Sequence, residues 1–311
     1  MNIVFMGTPD FAVESLKRIC DGGHHVLAVV SQPDRKSGRG MSVTKTPVKE
    51  FAEERGIPVY QPERIRKDPE LIDKIRQMKP DVIVVVAFGQ ILPQEVLDIP
   101  KYGSVNVHGS LLPKYRGAAP IQWSVINGDK ITGITTMYMD AGMDTGDMIE
   151  KFELEILESD TYGTLYEKMK VLGGKAIIST LEKIADGTAP RKKQPEDFTM
   201  APMIQKEMGA IDWNKSSEEI RNQIRGFNPM PGAYSELGSE RVKIWMAEKM
   251  PEASSEIVPG TILYKDTKNG LVIKTGDGAL KITEIQFPNL KKMSPEDYLR
   301  GHQILVDSFL S

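Results

Sequence analysis

The run Val82-Ile83-Val84-Val85-Val86 places five β-branched residues in a row, between Asp81 and Ala87. In a helix each of these side chains would lose χ1 freedom against the preceding turn, whereas on a pleated strand they pack without that loss. A strand with one wet face would alternate polar and apolar residues, and this one does not. Both faces therefore have to be covered, which is the situation of a central strand in a parallel sheet with helices on either side. The start of the chain agrees. Asn2–Met6 is a short, largely apolar strand and Gly7-Thr8-Pro9-Asp10 a turn. A helix then runs to about Cys20, with Phe11, Ser15 and Leu16 on one face and Asp10 placed to cap it. Asp21-Gly22-Gly23 stops that helix, and His25–Val30 is a second buried strand. Such a β-α-β opening predicts an α/β domain built on a Rossmann-like, doubly wound, mostly parallel sheet. The first turn is Gly-Thr-Pro-Asp rather than Gly-x-Gly-x-x-Gly, which counts against NAD or FAD.

At 311 residues the chain is long enough for two domains. Its net charge of −3 gives no global attraction to nucleic acid, so any such signal has to be local. One cysteine, Cys20, excludes an intramolecular disulfide and a cysteine-rich zinc site and suits a reducing cytosol. The N-terminus shows no signal peptide, and no apolar run approaches the roughly 18 residues of a membrane span.

The local signal lies in Ser31–Lys49. After Asp34 this stretch holds Arg35, Lys36, Arg39, Lys45 and Lys49 and no acid, and Gly38 and Gly40 flank Arg39. It is expected to be a long structureless connection, which in a compact domain is usually functional or disordered. Five cations without a counterion suit a polyanion contacted phosphate by phosphate, and a solvated flexible loop is the plainer alternative.

Further along, helices are expected at about 47–55, 69–78, 119–127 and 161–185, and strands at 57–60, 81–87, 103–108, 132–139 and 149–156. The segment Thr188–Ala210, with three prolines and weak periodicity, reads as a linker carrying Arg191, Lys192, Lys193 and Lys206. The expected division is a catalytic domain over 1–188, a linker over 189–209 and a second domain over 210–311. That last part opens with a helix at 216–225, capped by Ser216 or Ser217 with Glu219 near. Five or so short strands follow, which favour a small C-terminal β-barrel, OB-like, closed by a helix over 294–310. From Gly209 to Ser311 there are 13 Lys and Arg against 14 Asp and Glu, so this domain is not globally basic.

Chemistry concentrates on Ser104-Val-Asn-Val-His-Gly-Ser. The strand period of two puts Asn106 and His108 on one face, about 7 Å apart. An asparagine amide can donate to a developing oxyanion, and a histidine can act as acid, base or cationic stabiliser. Asp140-Ala-Gly-Met-Asp144-Thr-Gly-Asp147 sits at another strand end, as a bent loop able to deliver one carboxylate; its spacing fails for an EF-hand calcium site. Ser110 lies near His108 but in no Gly-x-Ser-x-Gly elbow, so no covalent intermediate is required. On spacing alone, a merely structural hydrogen-bonded Asn–His cluster and a turn-forming Asp144 remain open. The carboxyl end of the central strand, Phe88-Gly89-Gln90-Ile91-Leu92, is where open α/β sheets bind ligands.

Asn106-Val-His108-Gly-Ser-Leu-Leu-Pro113-Lys-Tyr-Arg-Gly117-Ala-Ala-Pro120-Ile-Gln resembles the signature of the 10-formyltetrahydrofolate-dependent formyltransferases, and Asp140–Asp147 resembles that family's second motif in order and spacing. Phe5-Met-Gly-Thr-Pro-Asp-Phe11, Gln32-Pro-Asp-Arg35, Gly38-Arg-Gly40 and Phe227-Asn-Pro229 are similar to the members that act on aminoacylated tRNA, so the resemblance runs along essentially the whole chain. It implies transfer of a formyl group from N10 of 10-formyltetrahydrofolate, as co-substrate, to the α-amino group of methionine on initiator tRNA. Asn106, His108 and Asp144 would be catalytic. Phe88, Gly89, Gln90, Ile91, Leu92, Ser110, Leu111, Leu112, Pro113 and Asp140 would flank the folate. Arg35, Lys36, Arg39, Lys45 and Lys206 would hold the tRNA acceptor end, with the second domain holding more of it. No metal is implied. A cytoplasmic monomer independent of membranes is expected. A formyltransferase acting on a sugar-nucleotide amine, a formyl-folate hydrolase and a binding module on a degenerate enzyme fold are the competing expectations.

Overall fold

The structure, a computed structural model, describes residues 1–37, 42–250, 256–305 and 307–309. The chain forms two compact units. The first comprises Met1–Gly117, Ile131–Glu155 and Tyr166–Ala201; the second comprises Ala118–Lys130, Ile156–Leu165 and Pro202–Ser311.

The elements begin β1 (Asn2–Gly7), α1 (Asp10–Asp21), β2 (His25–Val30), β3 (Arg35–Ser37), β4 (Ser42–Thr44), α2 (Pro47–Glu54) and β5 (Val59–Tyr60). They continue with α3 (Pro69–Met78), β6 (Val82–Val86), α4 (Gln94–Leu97), β7 (Ser104–His108), β8 (Arg116–Gly117) and α5 (Pro120–Ile126). Next come β9 (Ile131–Tyr138), β10 (Met148–Glu155), α6 (Tyr162–Ala185), β11 (Met200–Ala201) and α7 (Ser217–Gly226). The chain ends with β12 (Ala233–Leu237), β13 (Glu240–Met250), β14 (Ile262–Asp266), β15 (Gly270–Lys274), β16 (Ala279–Gln286) and α8 (Pro295–Leu299).

In the first unit the run of five β-branched residues is β6, buried along its whole length and fourth of seven strands in the order β10-β9-β7-β6-β1-β2-β5. β7, β6, β1, β2 and β5 run parallel; β9 runs against them, antiparallel to both β7 and β10. Alternation along the strands splits the core between the two faces. Val4, Met6, Ile83 and Val85 pack with Ile72 and Ile75 of α3 and Val96 and Leu97 of α4. Ile3, Phe5, Val82 and Val84 turn to the other side, equally buried. α6 comes close to β7 and β9: a Cβ on Gly173 would stand 3.3 Å from Val107 Cγ1 and 3.8 Å from Ile134 Cδ1.

Three expectations change in this unit. Asp10 is the first helical residue, not the cap; Pro9 takes that place, and the Asp10 carboxylate accepts from Tyr166 Oη (2.6 Å) and Lys170 Nζ (2.8 Å). Burial raises the Asp10 pKa, but those two donors outweigh it and hold the carboxyl below its usual value. The stretch 31–49 is not structureless, because β3 and β4 pair antiparallel from Arg35–Thr44 to Ser37–Ser42. Nor are its cations all uncompensated. Lys49 Nζ lies 2.6 Å from Asp34 Oδ2 and Lys45 Nζ 2.7 Å from Glu53 Oε2, both acids lying just outside the cationic run.

In the second unit α7 is capped by Ser216, whose hydroxyl and Glu219 form a reciprocal capping box. The strands make one antiparallel sheet in the order β12-β13-β16-β15-β14 around buried Trp213, Ile220, Ile224, Ile244, Leu271 and Ile282. Arg225, 3% exposed, donates to the carbonyls of Leu157, Glu158 and Asp160, and burial pushes its pKa down. Among the described residues the sheet does not close into a barrel, because both edges are occupied. Ile211 N donates to Tyr234 O (2.8 Å) beside β12, and Ile262 N donates to Asp307 O (2.8 Å) beside β14. The expected long closing helix is the short α8, and Asp307 further along makes that edge contact. No described helix is long and apolar enough to cross a membrane.

Candidate active site

β7 carries Asn106 and His108 to the carboxyl end of the first unit's sheet, and the chain breaks at Gly109. The strand pairs with β9 through Asn106–Met137 and His108–Thr135, so the loop leaving β9, residues 139–147, arrives beside them. That loop folds on itself: Asp140 Oδ1 accepts from Gly142 N (3.0 Å) and Thr145 Oγ1 (2.6 Å). Asp144 takes a left-handed backbone, φ 54°, which an L-residue holds only when its surroundings enforce it.

The three side chains meet. His108 Nδ1 stands 3.7 Å from Asp144 Oδ2, and the imidazole is 6% exposed. Asn106 Nδ2 leans 3.4 Å from Asp144 Oδ1. The shortest contact to the carboxylate comes from the backbone: Gly117 N–H donates to Asp144 Oδ2 at 2.8 Å. On its far side, His108 Nε2 lies 2.9 Å from the Tyr115 carbonyl. A carbonyl only accepts, so Nε2 carries a proton, and Nδ1 is the nitrogen left to face Asp144 and the open site. The Asn106 amide has a second N–H that no described residue takes.

The loop 139–147 also walls a cavity of about 140 Å³, lined by Gln90, Ile91 and Leu92 after β6, by Met137 and Met139, and by Asp140–Asp144. Of the residues implied to flank a folate, Gln90, Ile91, Leu92 and Asp140 line it. Phe88 and Leu112 do not: Phe88 is buried among the residues of α3 and α4, and Leu112 against Met137 and Met148. Ser110 is fully buried and donates to Lys114 O (2.6 Å). Gly89, Leu111 and Pro113 are not among the lining residues. Among the cations, Arg35 and Lys45 are exposed on the β3–β4 hairpin, and Lys206 is exposed on a short 3₁₀ turn of the second unit. Arg39 lies outside the described residues, and only the backbone of Lys36 is described. No three His, Cys, Asp or Glu side chains among the described residues are grouped to hold a metal ion.

Sequence reasoning missed the partners that come from 189–201. β11 pairs with β8 through Met200–Arg116 and Ala201–Gly117. Thr199 Oγ1 accepts from Tyr115 N (2.9 Å), and Gln194 reaches the loop of Asp144. Arg116 and Gly117 stood inside the motif, but Gln194 and Thr199 had no local signal, being paired with residues 50 and 84 positions away.

Residues 1–181 match a family model described as formyl transferase, and residues 203–303 one described as formyl transferase, C-terminal domain. Over 305 residues the chain is 50% identical to the methionyl-tRNA formyltransferase of Acetivibrio thermocellus, covering 98% of this chain and 97% of that one. It is 52% identical over 305 residues to the methionyl-tRNA formyltransferase of Clostridioides difficile, covering 98% of each. Among solved structures it is similar to the N-formyltransferase of Helicobacter canadensis in complex with folinic acid and dTDP-3-aminofucose, with a TM-score of 0.64 at 22% identity, over 92% of this chain and 98% of that one. At that identity the likeness is one of fold.

Proposed function

Since the chain belongs to the formyl transferase family, we propose that it moves the formyl group of 10-formyltetrahydrofolate to the α-amino group of methionyl initiator tRNA, for translation initiation. The observation that carries the chemistry is the convergence of Asn106 and His108 on Asp144, which itself lines the cavity between the loops after β6 and β9. The choice of acceptor rests on relatives about half identical over nearly their whole length.

The cavity suits one flat, polar-edged ring. Ile91, Leu92, Met137, Met139 and Met143 supply apolar walls, and Gln90 and Asp140 hydrogen-bonding groups. At about 140 Å³ it is smaller than the roughly 300–1,000 Å³ of sites that enclose a drug-sized ligand, so it holds the ring and leaves the rest of the folate outside. The folate supplies the electrophilic formyl carbon. The tRNA supplies the attacking amine, and the stabilising and proton-accepting groups come from this chain. The free N–H of Asn106 donates to the formyl oxygen as charge builds there, a contribution worth roughly 2.7–4 kcal/mol when such a donor is lost. With Nε2 committed to Tyr115, the protonated His108 ring has one N–H left, on Nδ1, for the same task. Asp144, fixed by Gly117 N–H, orients that ring and accepts the proton released by the attacking amine, directly or through water; a proton returns to N10 as the formyl C–N10 bond breaks and tetrahydrofolate leaves.

On this reading Arg35, Lys36, Arg39, Lys45 and Lys206 meet the tRNA backbone, and the second unit is an OB-like fold that holds more of it. Five antiparallel strands on one apolar core support the latter. A monomeric, cytoplasmic enzyme belongs to the same reading. The test is direct: incubate the protein with 10-formyltetrahydrofolate and methionyl initiator tRNA and look for formyl-methionyl-tRNA. Formylation of a nucleotide-linked amino sugar with none on the tRNA would transfer the reading to sugar-nucleotide amines.

A further inference from the structure

Gln194 reaches across fifty residues of chain to the loop that carries Asp144. Its amide Nε2 donates to two backbone carbonyls at once, Asp144 O at 2.7 Å and Gly146 O at 2.9 Å. Its carbonyl oxygen is held in turn by Arg116, which donates from Nε (3.0 Å) and Nη2 (2.7 Å). Arg116 is 8% exposed, its guanidinium is stacked 4.4 Å over the Phe198 ring, and no carboxylate among the described residues forms an ion pair with it. The residue after it, Gly117, is the one whose N–H meets the Asp144 carboxylate.

These contacts grip Asp144 from both ends. Its side chain is fixed by Gly117 and its own carbonyl by Gln194, while the backbone between them sits at φ 54°. A left-handed aspartate is strained and persists only where neighbours over-determine it. Gly142 and Gly146 relieve crowding in the loop but do not hold it in place; the Gln194 amide is the side chain that bonds its carbonyls. A buried cation satisfied by a neutral amide is also informative. The amide has one donor end and one acceptor end, and here the acceptor faces the guanidinium and the donor faces the loop. A glutamate would satisfy Arg116 better but would present oxygen to two carbonyl oxygens.

We infer that Gln194 is a positioning residue of the transfer reaction: clamped by Arg116, it sets the backbone of Asp144 and so aims the carboxylate at His108 and at the incoming amine. The inference deepens the formyl-transfer reading and rests on it. It assigns a function in the chemistry to the segment after α6, which composition alone makes a linker.

The test compares Gln194→Glu, Gln194→Met and Gln194→Ala with the parent in single-turnover formylation of methionyl-tRNA. Misplacement of a reacting group by about 1 Å costs on the order of 100-fold. Turnover is therefore expected to fall on that order in all three, with KM for folate and tRNA within about twofold. Gln194→Met, close to the native shape, carries the test should the alanine variant not fold. The decisive arm combines Gln194→Met with Asp144→Ala. If Gln194 acts through Asp144, the double variant is no slower than Asp144→Ala alone, because the group being aimed is already gone. Equal slowing in both backgrounds, or parental turnover in Gln194→Met, overturns the inference. Failure of the parent to formylate tRNA at all overturns the functional reading instead, so the two outcomes are distinguishable.

Discussion

Gly117→Ala is the sharpest perturbation this site offers. Gly117 has φ 117°, and a Cβ there would stand 2.9 Å from Ala201 O, a backbone atom that cannot swing aside. Alanine therefore has to distort β8, at a strain of about 1–3 kcal/mol. For a unit of this size that lowers Tm by roughly 2–4 °C per kcal/mol. The same distortion moves the N–H away from Asp144 Oδ2, 2.8 Å distant in the native site. A hydrogen bond to a charged acceptor is worth about 1.5–3 kcal/mol. At about 1.4 kcal/mol per tenfold in rate, turnover should fall roughly 10- to 150-fold. Gly187→Ala separates strain from catalysis. Gly187 has φ 71° and nothing within 4 Å of its would-be Cβ, so alanine there brings positive-φ strain without a clash and with no link to Asp144. The assay is formyl-methionyl-tRNA formation beside thermal melts of both variants. A folded Gly117→Ala protein with parental turnover, or equal loss of turnover in Gly187→Ala, would refute the reasoning.

Asn106→Ala and His108→Ala should each cut turnover by about two orders of magnitude or more while tRNA affinity, read by filter binding, barely moves; parental turnover in either removes it from the catalytic set. Arg35→Ala should raise KM for tRNA and flatten its log–log salt dependence by about one contact's worth, and Lys45→Ala should do so less, because Lys45 already has Glu53 as counterion. Hydrogen bonds from Lys130 and Arg221 hold the Glu158 carboxyl down from 4.5 to about 2. A depressed folded-state value contributes stability that is present above pH 4.5 and lost as pH falls toward 2. Glu158→Gln should remove that slope from denaturation midpoints measured across the window, by no more than about 1 kcal/mol because the side chain is largely exposed.

What the chain declares about itself follows from how local each signal is. β6 was readable because five branched residues in a row need no context, and its place at the centre of the sheet followed from burial on both faces. Asn106 and His108 were readable as a pair because a period of two is built into a strand. Asp144 needed a family motif, since nothing local distinguishes it from any turn aspartate. The hairpin of β3 and β4 was hidden because its residues are polar and flexible by composition and its pairing leaves no apolar alternation. The counterions of Lys45 and Lys49 were hidden because Glu53 and Asp34 flank the run rather than punctuate it. A helix is expected over 294–310, yet α8 ends at Leu299 and a strand edge competes successfully for the backbone of Asp307 and Phe309. Gln194 and Thr199 were invisible for the same reason in stronger form: their partners lie 50 and 84 residues away, where no window of sequence looks.

The two-residue pairing of β8 with β11 bears on how such a chain can be recombined. A chimera joined at the end of α6 would look conservative, since it leaves the whole seven-stranded sheet intact. It would nonetheless discard Gln194, Thr199 and the Ala201 neighbour of Gly117, and with them the scaffolding of the reaction centre. The last segment of the first unit ends at Ala201 rather than Ala185. Whoever recombines this chain moves the sixteen residues of apparent tether (186–201) as part of the first unit.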